Sequence, residues 1–257
     1  MRVDVLCSGS KGNSCLLRSG STTILIDCGA PGVRYLQAAF KEAECSYDEV
    51  QALLITHSHS DHVNQLAKFK DKPVYACCSL NGSSRSMPEL SNYRPISSRC
   101  RFTIGAFSIE CFPTSHDSGP SMGFVIEDGQ DRLVYVTDTG YIPAEYYDLL
   151  ADADYYVFES NHDLEMLQST NRPLWLKQRI ASDTGHLCNQ DSSRLLCRLI
   201  GAHTRQVVLA HLSEEANTPA LALDELKGRM ERNGLDDSHL TIQVACQRES
   251  IHFGSAQ

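Results

Sequence analysis

The chain contains no apolar run approaching the roughly 18 residues that a bilayer-spanning helix requires. Its first residues, Met1-Arg2-Val3-Asp4-Val5-Leu6, carry an acid where a signal peptide needs its apolar stretch. We therefore expect a cytoplasmic protein with no membrane partner. There is no C-x-x-C pair among the 11 cysteines. The nearest neighbours, Cys77 and Cys78, are adjacent and poorly placed to bridge each other or to chelate zinc. The cysteines read as reduced thiols packed like small hydrophobes. Basic residues are scarce too: 23 Lys and Arg face 32 Asp and Glu, for a net charge of −9. That excludes broad electrostatic capture of nucleic acid, which needs a basic stripe. It does not exclude a nuclease, because a divalent-metal site supplies concentrated positive charge that this count omits. Finally, the loop Gly9-Ser10-Lys11-Gly12-Asn13 lacks the Gly-Lys-Ser/Thr ending of a nucleotide P-loop. Its glycines still allow backbone N–H groups to approach a phosphate, which makes Ser10 and Asn13 candidate substrate contacts.

What is present is a globular composition of 257 residues, 42% apolar and 21% charged, without repeats, low-complexity tracts or long linkers. Short β-like runs open the chain at Arg2–Leu6, Cys15–Arg18 and Thr22–Asp27, and a helix-like stretch runs from Pro31 to Phe40. Gln51–Thr56 reads as a buried strand, with a helix expected near Val63–Lys70. Val74–Ala76 and Arg101–Phe112, split at Gly105, read as strands. Met122–Glu127 and Arg132–Thr137 form a hairpin about Asp128-Gly129-Gln130. Later, helices at Ala144–Leu150, Leu164–Gln168, Leu174–Ile180, Asp191–Ile200 and Pro219–Arg232 alternate with strands at Tyr155–Glu159, Gln206–Ala210 and Leu240–Val244. That pattern fits sheets covered by helices in layers, as one α/β domain spanning residues 1–257.

Polar clusters recur where β runs stop. Thr56-His57-Ser58-His59-Ser60-Asp61-His62 places four potential ligands within six positions after an apolar strand. Histidines two residues apart can converge on one metal from a tight loop, while Asp61 and His62 turn toward a second. Imidazole with carboxylate suits zinc, manganese or iron. His116 follows a strand-like run, Asp138 ends Val134-Tyr135-Val136-Thr137 where a carboxylate could bridge two ions, and His211 ends Val207-Val208-Leu209-Ala210.

In order along the chain, these motifs resemble those of the metallo-β-lactamase-fold hydrolases. The resemblance implies a four-layer αββα sandwich with two divalent ions (zinc or manganese, with iron also suited) at one edge. By it, His57, His59 and His116 hold one metal, Asp61, His62 and His211 the other, and Asp138 bridges. Asp27 matches the family's buried aspartate, orienting the loop rather than ligating. Glu159 and Gly185-His186 resemble the additional acid and histidine of phosphodiesterase members of the RNase Z type. Ser8-Gly9-Ser10-Lys11-Gly12-Asn13-Ser14, Ser115-His116-Asp117-Ser118, Glu159-Ser160-Asn161-His162-Asp163, Leu176–Ile180, Gly185-His186-Leu187-Cys188-Asn189 and His211–Asn217 narrow the resemblance to the bacterial YycJ/WalJ group. Cys188 stands where that group has serine.

The activity so implied is phosphodiester hydrolysis by metal-activated water, as a 5′→3′ exonuclease on DNA with a free 5′ end. Asp61 would orient the nucleophile. His186 would act as general acid or phosphate donor, with Glu159 setting its tautomer, and His162 would touch substrate. The alternative is a thioester or lactone hydrolase on the same ligand set; the Glu159–His186 pair tilts toward phosphodiester chemistry. Lys68, Lys70 and Lys72 read as a solvated helix end. Arg85, Arg94, Arg99 and Arg101 read likewise, with Tyr93 nearby as a possible base-stacking ring.

Overall fold

Alternating apolar residues in the early strands face two different layers. In β3 (Thr22–Ile26), Ile24 and Ile26 join one apolar cluster and Leu25 another. In β11 (Tyr155–Glu159), Tyr155 and Val157 join the first cluster while Tyr156 and Phe158 join a third. Strands buried on both faces need a covering layer on each side, and the chain provides it. The computed structural model describes residues 1–80 and 88–255; Arg85 lies outside the described residues.

One seven-stranded sheet has the order β14-β1-β2-β3-β4-β5-β6, built from Ile251–Gly254, Arg2–Cys7, Ser14–Ser19, Thr22–Ile26, Ala52–Ile55, Val74–Ala76 and Tyr93–Pro95. The other has the order β13-β12-β11-β10-β9-β8-β7, built from Thr241–Val244, Gln206–Ala210, Tyr155–Glu159, Arg132–Val136, Met122–Glu127, Phe107–Pro113 and Arg101–Ile104. Their facing sides share one apolar layer that includes Val3, Leu17, Leu54, Phe124 and Val208. Phe124 is fully buried there; truncating such a ring to alanine typically costs about 3–5 kcal/mol. Helix α1 (Val33–Glu42) covers the outer face of the first sheet. Helices α6 (Asn189–Leu199) and α7 (Pro219–Arg232) cover the second. The result is a four-layer αββα sandwich.

Most elements lie where the sequence places them, and the hairpin forms with Arg132 paired to Glu127. The expected helix at Val63–Lys70 is replaced by a short α2 (Ser60–Val63) and a 3-10 turn at Leu66–Phe69. The break has a tertiary cause: the Gln65 N–H donates to Cys28 O (3.1 Å), and the Asn64 amide clasps both backbone groups of Ala30. β6 and β14 were not anticipated. Both are short edge strands: β6 has three largely solvent-facing residues with no apolar alternation, and β14 alternates Ile251 and Phe253 with exposed His252 and Gly254 over only four residues. The remaining α-helices are α3 (Tyr147–Leu150), α4 (Leu164–Ser169) and α5 (Leu174–Ile180).

Candidate metal centre

The parallel strands β3, β4, β10, β11 and β12 all end at one edge of the sandwich, and their first loop residues build the centre. Three of these residues, Asp27, Asp138 and His211, have φ of 55°, 56° and 56°, a left-handed conformation that non-glycine residues rarely adopt. Strain of this kind persists only where the surroundings over-determine it. Here each turn swings a side chain back over the sheet edge. Glycine serves a different purpose at Gly29, where an added Cβ would lie 1.6 Å from the Asp61 carbonyl oxygen. The β3 loop and the His57–His62 loop are thus in backbone contact, stitched by Cys28 N–H to His62 O (2.8 Å) and Asn13 N–H to Asp61 O (2.8 Å).

Each imidazole but one is oriented through Nδ1. His62 Nδ1 donates to Asp27 Oδ2 (2.7 Å), and Asp27 also accepts the Thr56 N–H and hydroxyl at 2.9 Å each. With its own hydrogen spent on Asp27, the Thr56 oxygen accepts from His57 Nδ1 at 3.0 Å. His116 Nδ1 donates to Gly185 O (3.1 Å). Glu159 Oε1 accepts from both His186 Nδ1 (2.8 Å) and His211 Nδ1 (2.9 Å), while its Oε2 accepts the Thr139 N–H (2.8 Å). These partners fix the tautomers so that the Nε2 lone pairs of His57, His62, His116 and His211 point away from their anchors. The exception is His59, whose Nδ1 lies 3.2 Å from His116 Nε2.

Four groups of donors result, each with its ligand atoms within 4.8 Å of one another: His57, His59 and His116; Asp61, His62 and His211; His57, His62 and Asp138; and Asp138, Glu159, His186 and His211. Asp138 stands between the first two. Its Oδ2 is 3.0 Å from His62 Nε2, and its Oδ1 is 3.6 Å from the Nε2 of both His116 and His211. His57 Nε2, His211 Nε2 and Asp138 Oδ2 are buried and have no hydrogen-bond partner. Buried polar atoms are normally satisfied. An unsatisfied, mutually facing set of imidazole and carboxylate donors has the chemistry of a divalent-cation site and fits two ions.

The electrostatics divide the histidines: three are favoured as neutral donors, while His62 and His211 must give up a proton to bind a metal. Burial, reinforced by neighbouring histidines, pushes His57 well below the ordinary imidazole range, and burial lowers His59 and His116. These are the neutral lone-pair donors a metal requires. For Asp61 and Asp138 burial acts upward, but His62 and His211 outweigh it and both stay ionised. For His211 burial is outweighed by Asp138, Asp61 and Glu159, which lift it to about 10. Burial likewise fails to lower His62 against Asp138, Asp27 and Asp61. Glu159 falls to about 2 because His186 and His211 overcome its burial.

His186 opens on a cleft of about 480 Å³, lined also by Ser10, Asn161, Arg172, Leu176, Arg179, Ile180, Ser213 and Glu215. Ser10 is therefore at its rim. Two of the expected substrate contacts, Asn13 and His162, lie buried. Asn13 is fully buried, its Nδ2 bonding Gly9 O (3.0 Å) and facing His62 Nε2 (3.0 Å), so it braces the loop. The glycine loop is not a phosphate cradle either. The N–H groups of Gly9, Lys11 and Gly12 are already committed to Asn13 Oδ1, Gln247 Oε1 and Gly9 O. His162 is completely buried, with neither ring nitrogen partnered, and burial lowers it to about 4.

The other basic side chains are largely occupied. Lys72 reaches Asp48 O, Arg99 pairs with Glu145 and Arg101 with Glu110, while Arg94 is exposed. The Tyr93 hydroxyl donates to Cys78 O from the edge strand β6. All 11 cysteines are free thiols, and Cys188 caps α6, its sulfur accepting from Asp191 N–H at 3.4 Å. Sequence reasoning missed Thr56, Thr139, Arg172 and the Arg179–Asp117 pair. Only the strand-end position of the two threonines offered a signal.

Among the described residues no helix is long and apolar enough to cross a membrane. Residues 22–212 match the model of the beta-lactamase superfamily domain. The chain is 34% identical over 243 residues to the exodeoxyribonuclease YycJ of Bacillus anthracis, covering 91% of this chain and 90% of that protein. It is 34% identical over 233 residues to the exodeoxyribonuclease WalJ of Streptococcus pneumoniae, covering 86% and 85%. Among solved structures, the metallo-beta-lactamase fold protein YhfI of Bacillus subtilis superposes with a TM-score of 0.68 at 18% identity, covering 98% of this chain and 99% of that one.

Proposed function

The chain belongs to the beta-lactamase superfamily domain family, and on that premise we propose that it is a dinuclear-metal-dependent nuclease that removes nucleotides 5′→3′ from DNA. Its relatives at 34% identity carry the name exodeoxyribonuclease. The observation that carries the reading is the position of His186, held by Glu159 (2.8 Å) between the cluster of metal-type donors and a cleft containing two arginines. A cleft of that kind suits a phosphodiester better than a neutral thioester or lactone.

Two divalent ions, zinc or manganese and with iron also compatible, would be held by His57, His59 and His116 on one side and Asp61, His62 and His211 on the other, with Asp138 between. Bound there, such a pair lowers the pKa of water and steadies the oxygens of an in-line displacement at phosphorus. The remaining work belongs to the chain. Asp61, kept ionised by His62 and His211, accepts a hydrogen bond from the attacking water and aims it. His186 carries hydrogen on Nδ1 toward Glu159, and its Nε2, when protonated, donates to the phosphate or to the departing 3′ oxygen. Asp27 and Thr56 hold His57 and His62 in position and take no part in proton transfer.

The test is digestion of 5′-phosphorylated single-stranded DNA by chelator-stripped protein reloaded with Mn²⁺ or Zn²⁺, with a generic thioester as counter-substrate. Wild type should release mononucleotides from the 5′ end. Asp61→Ala should abolish release, and His186→Ala should lower it by about 10²–10⁴-fold, the usual size of a general-acid contribution. Intact DNA beside a cleaved thioester, indifferent to His186, would remove the nuclease reading.

A further inference from the structure

Helix α5 forms one wall of the cleft, and its packing leaves a ring unaccounted for. Leu176 and Ile180 anchor it on Leu167 and Ala216. That anchoring face does not include Trp175, the only tryptophan in the chain, which is 64% exposed beside Leu174 at 66%. These are the two most exposed large apolar side chains among the described residues. On α5, Trp175 lies one turn before Arg179, and Arg172 lies three residues earlier in the chain, just ahead of the helix.

Both arginines line the cleft yet are held by acids. Arg172 Nε contacts Glu215 at 2.9 Å, and Arg179 makes a two-pronged pair with Asp117, one arm at 2.9 Å. Exposed pairs of this type are weak, about 0–1 kcal/mol, so a phosphate can displace the carboxylates. An exposed indole on the helix that supplies Leu176, Arg179 and Ile180 to a cleft large enough for about one nucleotide, with two exchangeable guanidinium groups in that cleft, has the chemistry of nucleic-acid strand recognition.

Resting on the nuclease reading above, we propose that Trp175 stacks on an exposed base at the substrate end while Arg172 and Arg179 leave Glu215 and Asp117 for its backbone phosphates. An unpaired nucleotide, or the outer face of a terminal base pair, presents the free face that an exposed indole needs.

The single tryptophan makes the platform directly observable. The metal-loaded protein is titrated with hydrolysis-resistant phosphorothioate oligothymidylate and, separately, with a blunt duplex of equal length, following tryptophan fluorescence. Saturable quenching by either DNA supports the proposal. In DNA digestion, Trp175→Ala should raise KM about tenfold, the loss expected for one stacking contact. Trp175→Phe should recover most of it, and Arg179→Gln should weaken oligothymidylate binding. The side chain is exposed, so these variants should fold as wild type, which circular dichroism checks. DNA digestion by wild type with no quenching, or an unchanged KM in Trp175→Ala, overturns the platform and leaves the nuclease reading intact. Saturable quenching without any DNA cleavage removes the nuclease reading and leaves the platform standing. Quenching that depends only on protein concentration assigns the exposed ring to self-association and overturns it.

Discussion

At the scale of single residues, the centre shows how a few hydrogen bonds decide chemistry. Glu159 holds two imidazoles through one oxygen, so removing its charge would loosen His186 and His211 together. His162 illustrates the opposite situation, a histidine near the centre but outside its chemistry. Fully buried without a partner, it is held to about 4 against an ordinary value of 6.5. Because the folded value lies below the unfolded one, the unfolded chain binds the extra proton first. Stability should therefore fall as pH drops from about 6.5 toward 4, by at most about 3.5 kcal/mol at roughly 1.4 per pKa unit, and level off below that. His162→Asn should flatten that part of the acid limb in urea titrations at stepped pH. An unchanged pH slope would mean that His162 is not what limits acid stability.

At the scale of elements, strand ends and glycine contacts set ligand geometry more than helices do. The loop after β4 is fixed by its backbone contact at Gly29, where any side chain would strike the Asp61 carbonyl. Gly29→Ala should therefore push α2 outward, lowering stability by about 1–3 kcal/mol and reducing metal content after reconstitution. Thermal denaturation and elemental analysis would show both. Gly32→Ala is the control, since nothing lies within 4 Å of its added Cβ and its φ of 168° is ordinary extended backbone. Equal behaviour of the two variants would refute the contact's importance. α5 works differently, as a wall whose outer flank remains available because only Leu176 and Ile180 are used for packing.

At the scale of the whole molecule, the net charge of −9 limits how nucleic acid can be held. With Arg172 and Arg179 as the cations of the cleft, few phosphates are neutralised. Binding of oligothymidylate should then depend weakly on salt, with a log–log slope of roughly −1.4, or about 0.7 per phosphate contact on single strands. Fluorescence titration from low to moderate salt measures it. A slope several times steeper would require a basic surface that the two arginines do not supply. The same acidic shell keeps non-specific binding low and leaves selectivity to the centre and its cleft.

Local pattern carried much of this in the sequence itself. Short apolar runs bounded by turn residues marked the strands, and the dense His57–His62 motif after an apolar run marked the metal-type loop, because both are short-range features of the chain. The same reasoning failed for β6 and β14, each too short to form such a run, and for the helix at Val63–Lys70, interrupted by bonds to Cys28 and Ala30. It also could not tell which polar residues face the cleft. Asn13 and His162 sit within motifs as suggestive as those of Ser10 and His186, yet lie buried. The sequence by itself determined the alternating layers and the ligand chemistry. Tertiary structure alone decided tautomers, burial and the cleft, because the bonds that set them, such as Asp27 to His62 and Glu159 to His211, join residues 35 and 52 positions apart.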